Sequence, residues 1–330
     1  MRCCNNRLQI IKYICAIAAV FTAVFCVLFP TIIYESYYKY SVPKPEKKFA
    51  EILFVGDLMF DRGIRYYAQK NGGNEFIFEK ISDFLKNNDL VVANLEGPIT
   101  KNQSVSAGTA PGATNNYYFT FDPSVAKTLY DNNIKLVSLG NNHILNFGQP
   151  GLAETKKYLD EAKIDYFGAP DYPKSILIEI KGVKITFINY NEFADLDLLI
   201  NKKSTIEKIQ KAKNYSDIII VYAHWGIEYQ KSPSARQINL AHKFIDEGAD
   251  IVIGSHSHVT GTIEEYKGKK IYYSLGNFIF DQYFDEDVRK GLGVAVKIDF
   301  KTKELRFTDY NFYLAPQGQT ILSSPALSPE

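Results

Sequence analysis

Four of the five histidines in this chain stand in three short, glycine-bordered segments, each directly after an apolar run of strand length. The segments are Asn141-Asn142-His143, His224-Trp225-Gly226 and Gly254-Ser255-His256-Ser257-His258. Upstream, Gly56-Asp57 and Asn94-Leu95-Glu96 end apolar runs in the same way. Polar residues gathered at strand ends fit an α/β fold, in which ligands bind in the crevice beyond the carboxyl ends of the strands. Imidazole and carboxylate together are the donor set of a divalent transition metal.

The rest of the chain agrees with that architecture. Strands are expected at 51–55, 90–93, 135–139, 217–222 and 250–253, separated by helical segments at 76–86, from Asp122-Pro123, from Pro150 to Glu161, at 204–213 and at 234–247. Lys181-Gly182 and Lys267-Gly268 turn two hairpins, 175–180 with 183–189 and 262–266 with 270–274. Late strands follow at 293–300 and 304–310. This mixed pattern predicts an α/β domain with sheets packed between helices, and one domain over 49–330 accommodates it. The loop 101–116 is small and polar, either disordered or a lid.

Composition narrows the functional classes. The chain has 330 residues, 46% hydrophobic and 23% charged, which is globular, and its formal net charge of +1 with no basic stripe gives no reason to expect nucleic-acid binding. All four cysteines (Cys3, Cys4, Cys15 and Cys26) lie near the N-terminus. The globular part therefore has no disulfide and no thiolate ligand, a composition at ease in an oxidising setting.

Residues 10–29 are almost wholly apolar, enough to span a bilayer as a helix. Arg2, Arg7 and Lys12 precede or open the span, and the bulky Val27-Leu28-Phe29-Pro30 offers no small-residue cleavage site. We read a short cytoplasmic N-terminus (1–9), an uncleaved transmembrane signal anchor (10–29), a stalk (30–48) and a large extracytoplasmic domain (49–330). The lysines after the span make the orienting charge bias shallow.

Six segments in fixed order carry a resemblance: Gly56-Asp57-Leu58-Met59 with Arg62; Asn94-Leu95-Glu96-Gly97; Asn141-Asn142-His143 with Phe147-Gly148; His224-Trp225-Gly226 with Glu228-Tyr229; Gly254-x-His256-x-His258; and Tyr273-Ser274-Leu275-Gly276-Asn277-Phe278. Over roughly 51–282 the chain resembles the CapA family of capsule and poly-γ-glutamate biosynthesis proteins, a branch of the calcineurin-like metallophosphoesterase superfamily. The resemblance implies a layered β-sandwich flanked by helices, with one or two divalent ions of the Mn, Fe or Zn type. It implies that Asp57 and His258 hold one ion, that Asn142, His224 and His256 hold the other, and that Glu96 stands where the superfamily has its bridging carboxylate. His143 is then the catalytic proton donor. Arg62 is either an anion clamp or a structural ion pair, Asn94 either orients Glu96 or binds metal, and Asn277 supports the last site loop. His242, mid-helix beside Ile238, Ala241 and Ile245, reads as structural.

The chain also departs from the pattern. Met59 stands where metallophosphoesterases usually have a ligand histidine, a replacement the CapA branch shares. Asn146 stands where the branch often has aspartate, and Ser255 and Ser257 replace its usual histidine and proline. The resemblance implies work on an anionic capsule polymer beside membrane ligase subunits. The alternatives are a stand-alone metal-dependent hydrolase of phosphoesters or envelope amides, and a non-catalytic module that binds polymer or partner.

Overall fold

The computed structural model describes residues 48–171, 173–194 and 198–323. The expected membrane span and the stalk, up to residue 47, lie outside them. Among the described residues no helix is long and apolar enough to cross a membrane.

Two sheets form the domain. The first has the order β14-β13-β12-β1-β2-β3-β4, with β11 also paired to β1. Its strands are β1 (Phe49–Leu58), β2 (Leu90–Leu95), β3 (Ile134–Ser138), β4 (Asp165–Phe167), β11 (Asn277–Ile279), β12 (Lys290–Asp299), β13 (Leu305–Leu314) and β14 (Thr320–Leu322). The second has the order β5-β6-β7-β8-β10-β9, from β5 (Ser175–Ile180), β6 (Val183–Asn191), β7 (Ile218–His224), β8 (Ile251–Ser255), β9 (Ile263–Tyr266) and β10 (Lys269–Tyr272). β1 to β4 run parallel, as do β6, β7, β8 and β10.

Side-chain alternation assigns the layers. In β1, Ile52 and Phe54 face the second sheet, where they join Ile220 and Tyr222 of β7 and Ile251 and Ile253 of β8. Leu53 and Val55 face outward to a core under the helices α1 (Arg62–Lys70), α2 (Glu75–Phe78), α3 (Ser82–Lys86), α4 (Ser124–Asp131) and α5 (Gly148–Ala162). Ile219 and Val221 of β7 face a third core with Leu240 and Phe244 of α7 (Ala235–Glu247) and Ile209 of α6 (Leu198–Ala212). The result is helices, sheet, sheet, helices. Strands buried on both faces read as continuous apolar runs, which is why the central ones were visible in the sequence.

The differences from expectation are local. The helix expected at 76–86 is two helices, because Ile81 N–H bonds to Phe78 O and the chain tightens between them. α1 was not foreseen. It opens on Arg62 at φ +48°, and the Asp61 side chain caps it by accepting the Arg62 N–H. α6 starts at Leu198, six residues before the expected Ser204. α7 keeps its signal: Ser234 and Gln237 form a reciprocal capping box. The loop 101–116 contains neither helix nor strand but is internally bonded, with Asn116 Nδ2 donating to Thr109 Oγ1 and Asn115 Nδ2 to Val105 O.

Candidate metal centre

The parallel strands of both sheets end at one place. β1 delivers Asp57, the turn after β2 delivers Glu96, the turn after β3 delivers Asn142 and His143, β7 delivers His224, and the turn after β8 delivers His256 and His258. Glycine permits the close strand contacts there. A Cβ on Gly56 would lie 1.9 Å from Gly276 O, and one on Gly254 would lie 2.0 Å from Tyr273 O. His256 has φ +92°, a left-handed backbone that costs a non-glycine residue roughly 1–3 kcal/mol and tends to occur at functional sites.

Of the ten residues singled out from the sequence, six bring ligand-type atoms into this cluster, and Asn94 and Asn277 are hydrogen-bonded to them. Ligand-type atoms of Asp57, Glu96 and His258 lie within 4.8 Å of one another, and so do those of Glu96, His224 and His256. Glu96 belongs to both groups. Its Oε1 is buried without a hydrogen-bond partner, 3.7 Å from His258 Nε2 and 4.0 Å from His224 Nε2. Two ligands about 2.1 Å from a tetrahedral ion stand roughly 3.4 Å apart, so these gaps are long for hydrogen bonds and close to ligand spacing. His256 Nδ1 is likewise buried and unpartnered. Asn142 joins the second group through Oδ1, 2.8 Å from His224 Nε2.

Neighbouring amides orient the donors. Asn277 Nδ2 donates to His258 O, Gln282 Oε1 and Val288 O, so its Oδ1 faces His258 Nδ1 at 2.9 Å. That places the His258 proton on Nδ1 and leaves the Nε2 lone pair toward Glu96. Asn94 Nδ2 donates to Asp57 Oδ1 (2.9 Å) and Glu96 Oε2 (3.3 Å), and Asn141 Nδ2 holds Asn94 Oδ1 at 3.0 Å. Asn94 therefore orients the carboxylates. Asn141 was quoted from the sequence only as part of its segment, and its role in holding Asn94 was not assigned there.

His143 stands at the edge of the cluster. Phe119 N–H donates to Asn146 Oδ1, which fixes that amide, and the same oxygen accepts from His143 Nδ1 at 3.2 Å. His143 thus carries its proton on Nδ1, leaving Nε2 as the nitrogen that exchanges protons. Arg62 is engaged otherwise than as a free clamp. It pairs with Asp281 at 2.5 Å, donates to Asn116 Oδ1, and lies over the Phe119 and Phe280 rings. Met59 is fully buried in the helix-side core, with its sulfur accepting the Asp61 N–H. His242 lies elsewhere, paired with Glu264 and stacked on Tyr266.

The electrostatics are those of ligands without a counter-ion. Burial pushes Asp57 up to about 7, against hydrogen bonds from Asn94 and His256. Burial, then the charges of Asp57 and Glu228, raise Glu96 well above the carboxylate range. Burial, then the neighbouring imidazoles, drives His224 well below its usual value; burial lowers His258 to about 3 and His256 to about 4. Burial also lowers His143 to about 4. The imidazoles are neutral with lone pairs available, while two buried carboxylates lack charge compensation. A divalent cation supplies that compensation, so the donor set and the orphaned Glu96 Oε1 fit such an ion.

The family model described as Bacterial capsule synthesis protein PGA_cap matches residues 51–282, the span that carries all six motifs. The chain belongs to this capsule synthesis family. Capsule biosynthesis protein CapA of Bacillus anthracis is 30% identical over 246 residues, covering 69% of this chain and 59% of that protein. PGA biosynthesis protein CapA of Bacillus subtilis (strain 168) is 31% identical over 244 residues, covering 69% and 63%. The matched stretch thus spans less than two-thirds of either relative. Among solved structures, the NAD nucleotidase of Haemophilus influenzae superposes with a TM-score of 0.45 at 16% identity, covering 84% of this chain and 54% of that one. In this capsule synthesis protein His224 and His258, the imidazoles facing Glu96 Oε1, both lie within the matched residues.

Proposed function

We propose that the chain is a membrane-anchored, extracytoplasmic protein that acts in the synthesis, export or attachment of an anionic capsule polymer of the poly-γ-glutamate type, through a divalent metal site. The observation that carries the site is Glu96 Oε1, buried, unpartnered and shared by two ligand groups. The polymer class rests on family membership and on relatives named for capsule and PGA biosynthesis.

In this reading Asp57, Glu96 and His258 hold one ion, and Glu96, His224, His256 and Asn142 hold the second. When bound, such ions polarise an oxygen of the substrate and lower the pKa of water. The chain's own residues do the rest. Asn94 and Asn141 keep both carboxylates aimed inward, and Asn277 keeps His258 Nε2 turned to Glu96. His143 handles a proton at Nε2, with its ring set by Asn146. Arg62 holds the 101–116 loop to the segment at Asp281, beside the cluster. Partners are membrane polymer-ligase subunits, reached through the anchor at 10–29.

A second reading, a non-catalytic module that holds polymer or partner, draws on Met59. With its sulfur turned to Asp61, it leaves the first group with three side-chain donors. Elemental analysis of the purified full chain, with polymer yield in a deletion strain, tests the proposal. Stoichiometric metal, lost in His224→Ala, and reduced capsule polymer support it; a metal-free protein purified without chelators overturns the site. A metal-loaded His143→Ala protein that sustains wild-type polymer yield selects the non-catalytic module.

A further inference from the structure

Beside the second ligand group lies a cleft of 440 Å³ rich in N–H donors, whose one buried, unpartnered side-chain acceptor among the described residues is Asn189 Oδ1. Its lining includes Asn142, Asn191, Lys174, Leu145 and Phe193 and, among the described residues, no carboxylate. Asn142 spends Oδ1 on His224, and Asn191 spends Oδ1 on the Phe193 N–H. Among the described residues neither amide nitrogen has a hydrogen-bond partner. Lys174 Nζ donates to Asn201 Oδ1 at 2.6 Å and makes no ion pair with a described carboxylate. Burial, then the nearby Lys208 charge, lowers the proton affinity of Lys174, as expected for a cation short of a counter-charge. The cleft therefore presents unspent N–H donors on one side and apolar surface from Leu145 and Phe193 on the other. Phe193 also packs on the His256 ring at 4.2 Å.

We propose that this cleft is a carboxylate subsite, in which Lys174 takes the carboxylate of an amide-linked chain and the Asn142 and Asn191 amide nitrogens donate to its carbonyl oxygens. The proposal rests on the polymer reading above and adds where the polymer's charge is recognised. Donor excess calls for an acceptor-rich anionic ligand, and the carboxylate and amide carbonyls of the proposed polymer supply such acceptors. The volume accommodates a segment larger than one small ion. Since Asn142 stands in both the cleft and the second ligand group, a chain seated here reaches the metal site without rearrangement.

The test is calorimetric binding of γ-glutamylglutamate, its methyl ester and inorganic phosphate to the metal-loaded full chain. Wild type is expected to bind the dipeptide and neither the ester nor phosphate. Losing a hydrogen bond to a charged group weakens the dipeptide about tenfold or more in Lys174→Met, while Lys174→Arg stays close to wild type. Metal content and melting temperature of Lys174→Met confirm an intact fold, and Lys174→Gln serves if that variant is unstable. Equal dipeptide affinity in wild type and in the Met or Gln variant overturns the subsite, as does Lys174-dependent binding of phosphate alone. If dipeptide binding depends on Lys174 while a deletion strain keeps its polymer, the subsite stands and the polymer role falls.

Discussion

The two ligand groups share Glu96 but are built differently. Asp57, Glu96 and His258 are sealed within the molecule, their orientations set by Asn94 and Asn277. The group of Glu96, His224 and His256 adjoins the exposed Asn142 and the Phe193 side of the carboxamide cleft. The first has the stronger scaffold and the poorer donor set, and the second has access. On the function proposed above, the sealed group would anchor an ion and the open group would meet substrate.

Substituting the shared residue breaks the comparison hardest. Glu96→Gln is expected to lose both ions, since even a residue that merely orients a ligand is worth roughly 10–100-fold in metal affinity. An ion at a thousandfold excess over its Kd contributes about 4 kcal/mol. Chelation should therefore lower the wild-type Tm by roughly 10 °C and leave Glu96→Gln unmoved, as scanning calorimetry with and without chelator will show. His256→Ala comes next. It should halve the metal content and lower polymer yield while the sealed ion remains; loss of both ions would show that the groups are one cooperative site. Asn277→Ala should weaken only the sealed ion, roughly 10–100-fold in a metal titration. His242→Ala should leave metal content unchanged and shift stability by no more than about 1 kcal/mol, because its ion pair with Glu264 is partly exposed.

Much of this was legible before any coordinates. The central strands announce themselves because both their faces are buried, and the chemistry-bearing residues follow them immediately. Asp57, His224, His256 and His258 stood out by residue type; Glu96 and Asn142 needed the family pattern, since a carboxylate or an amide in a turn is ordinary. The orienting amides Asn141 and Asn146 were illegible as such, because their roles depend on hydrogen bonds to Asn94 and Phe119 that no spacing encodes. The pairing of Arg62 with Asp281, 219 positions away, was hidden for the same reason. The helix at Arg62–Lys70 was missed because its burial rests on Ile64 and Ala68 alone.

Asp57, Glu96 and Asn142 are carried by the first sheet, and His224, His256 and His258 by the second. An ion held among them would be a cross-link between the two halves of the sandwich, joining residues at least 82 positions apart in the chain. In a domain with no cysteine after Cys26, it would take the part that a disulfide takes in many secreted proteins, with one difference: it is fastened by coordination and undone by acid or chelator rather than by reductant.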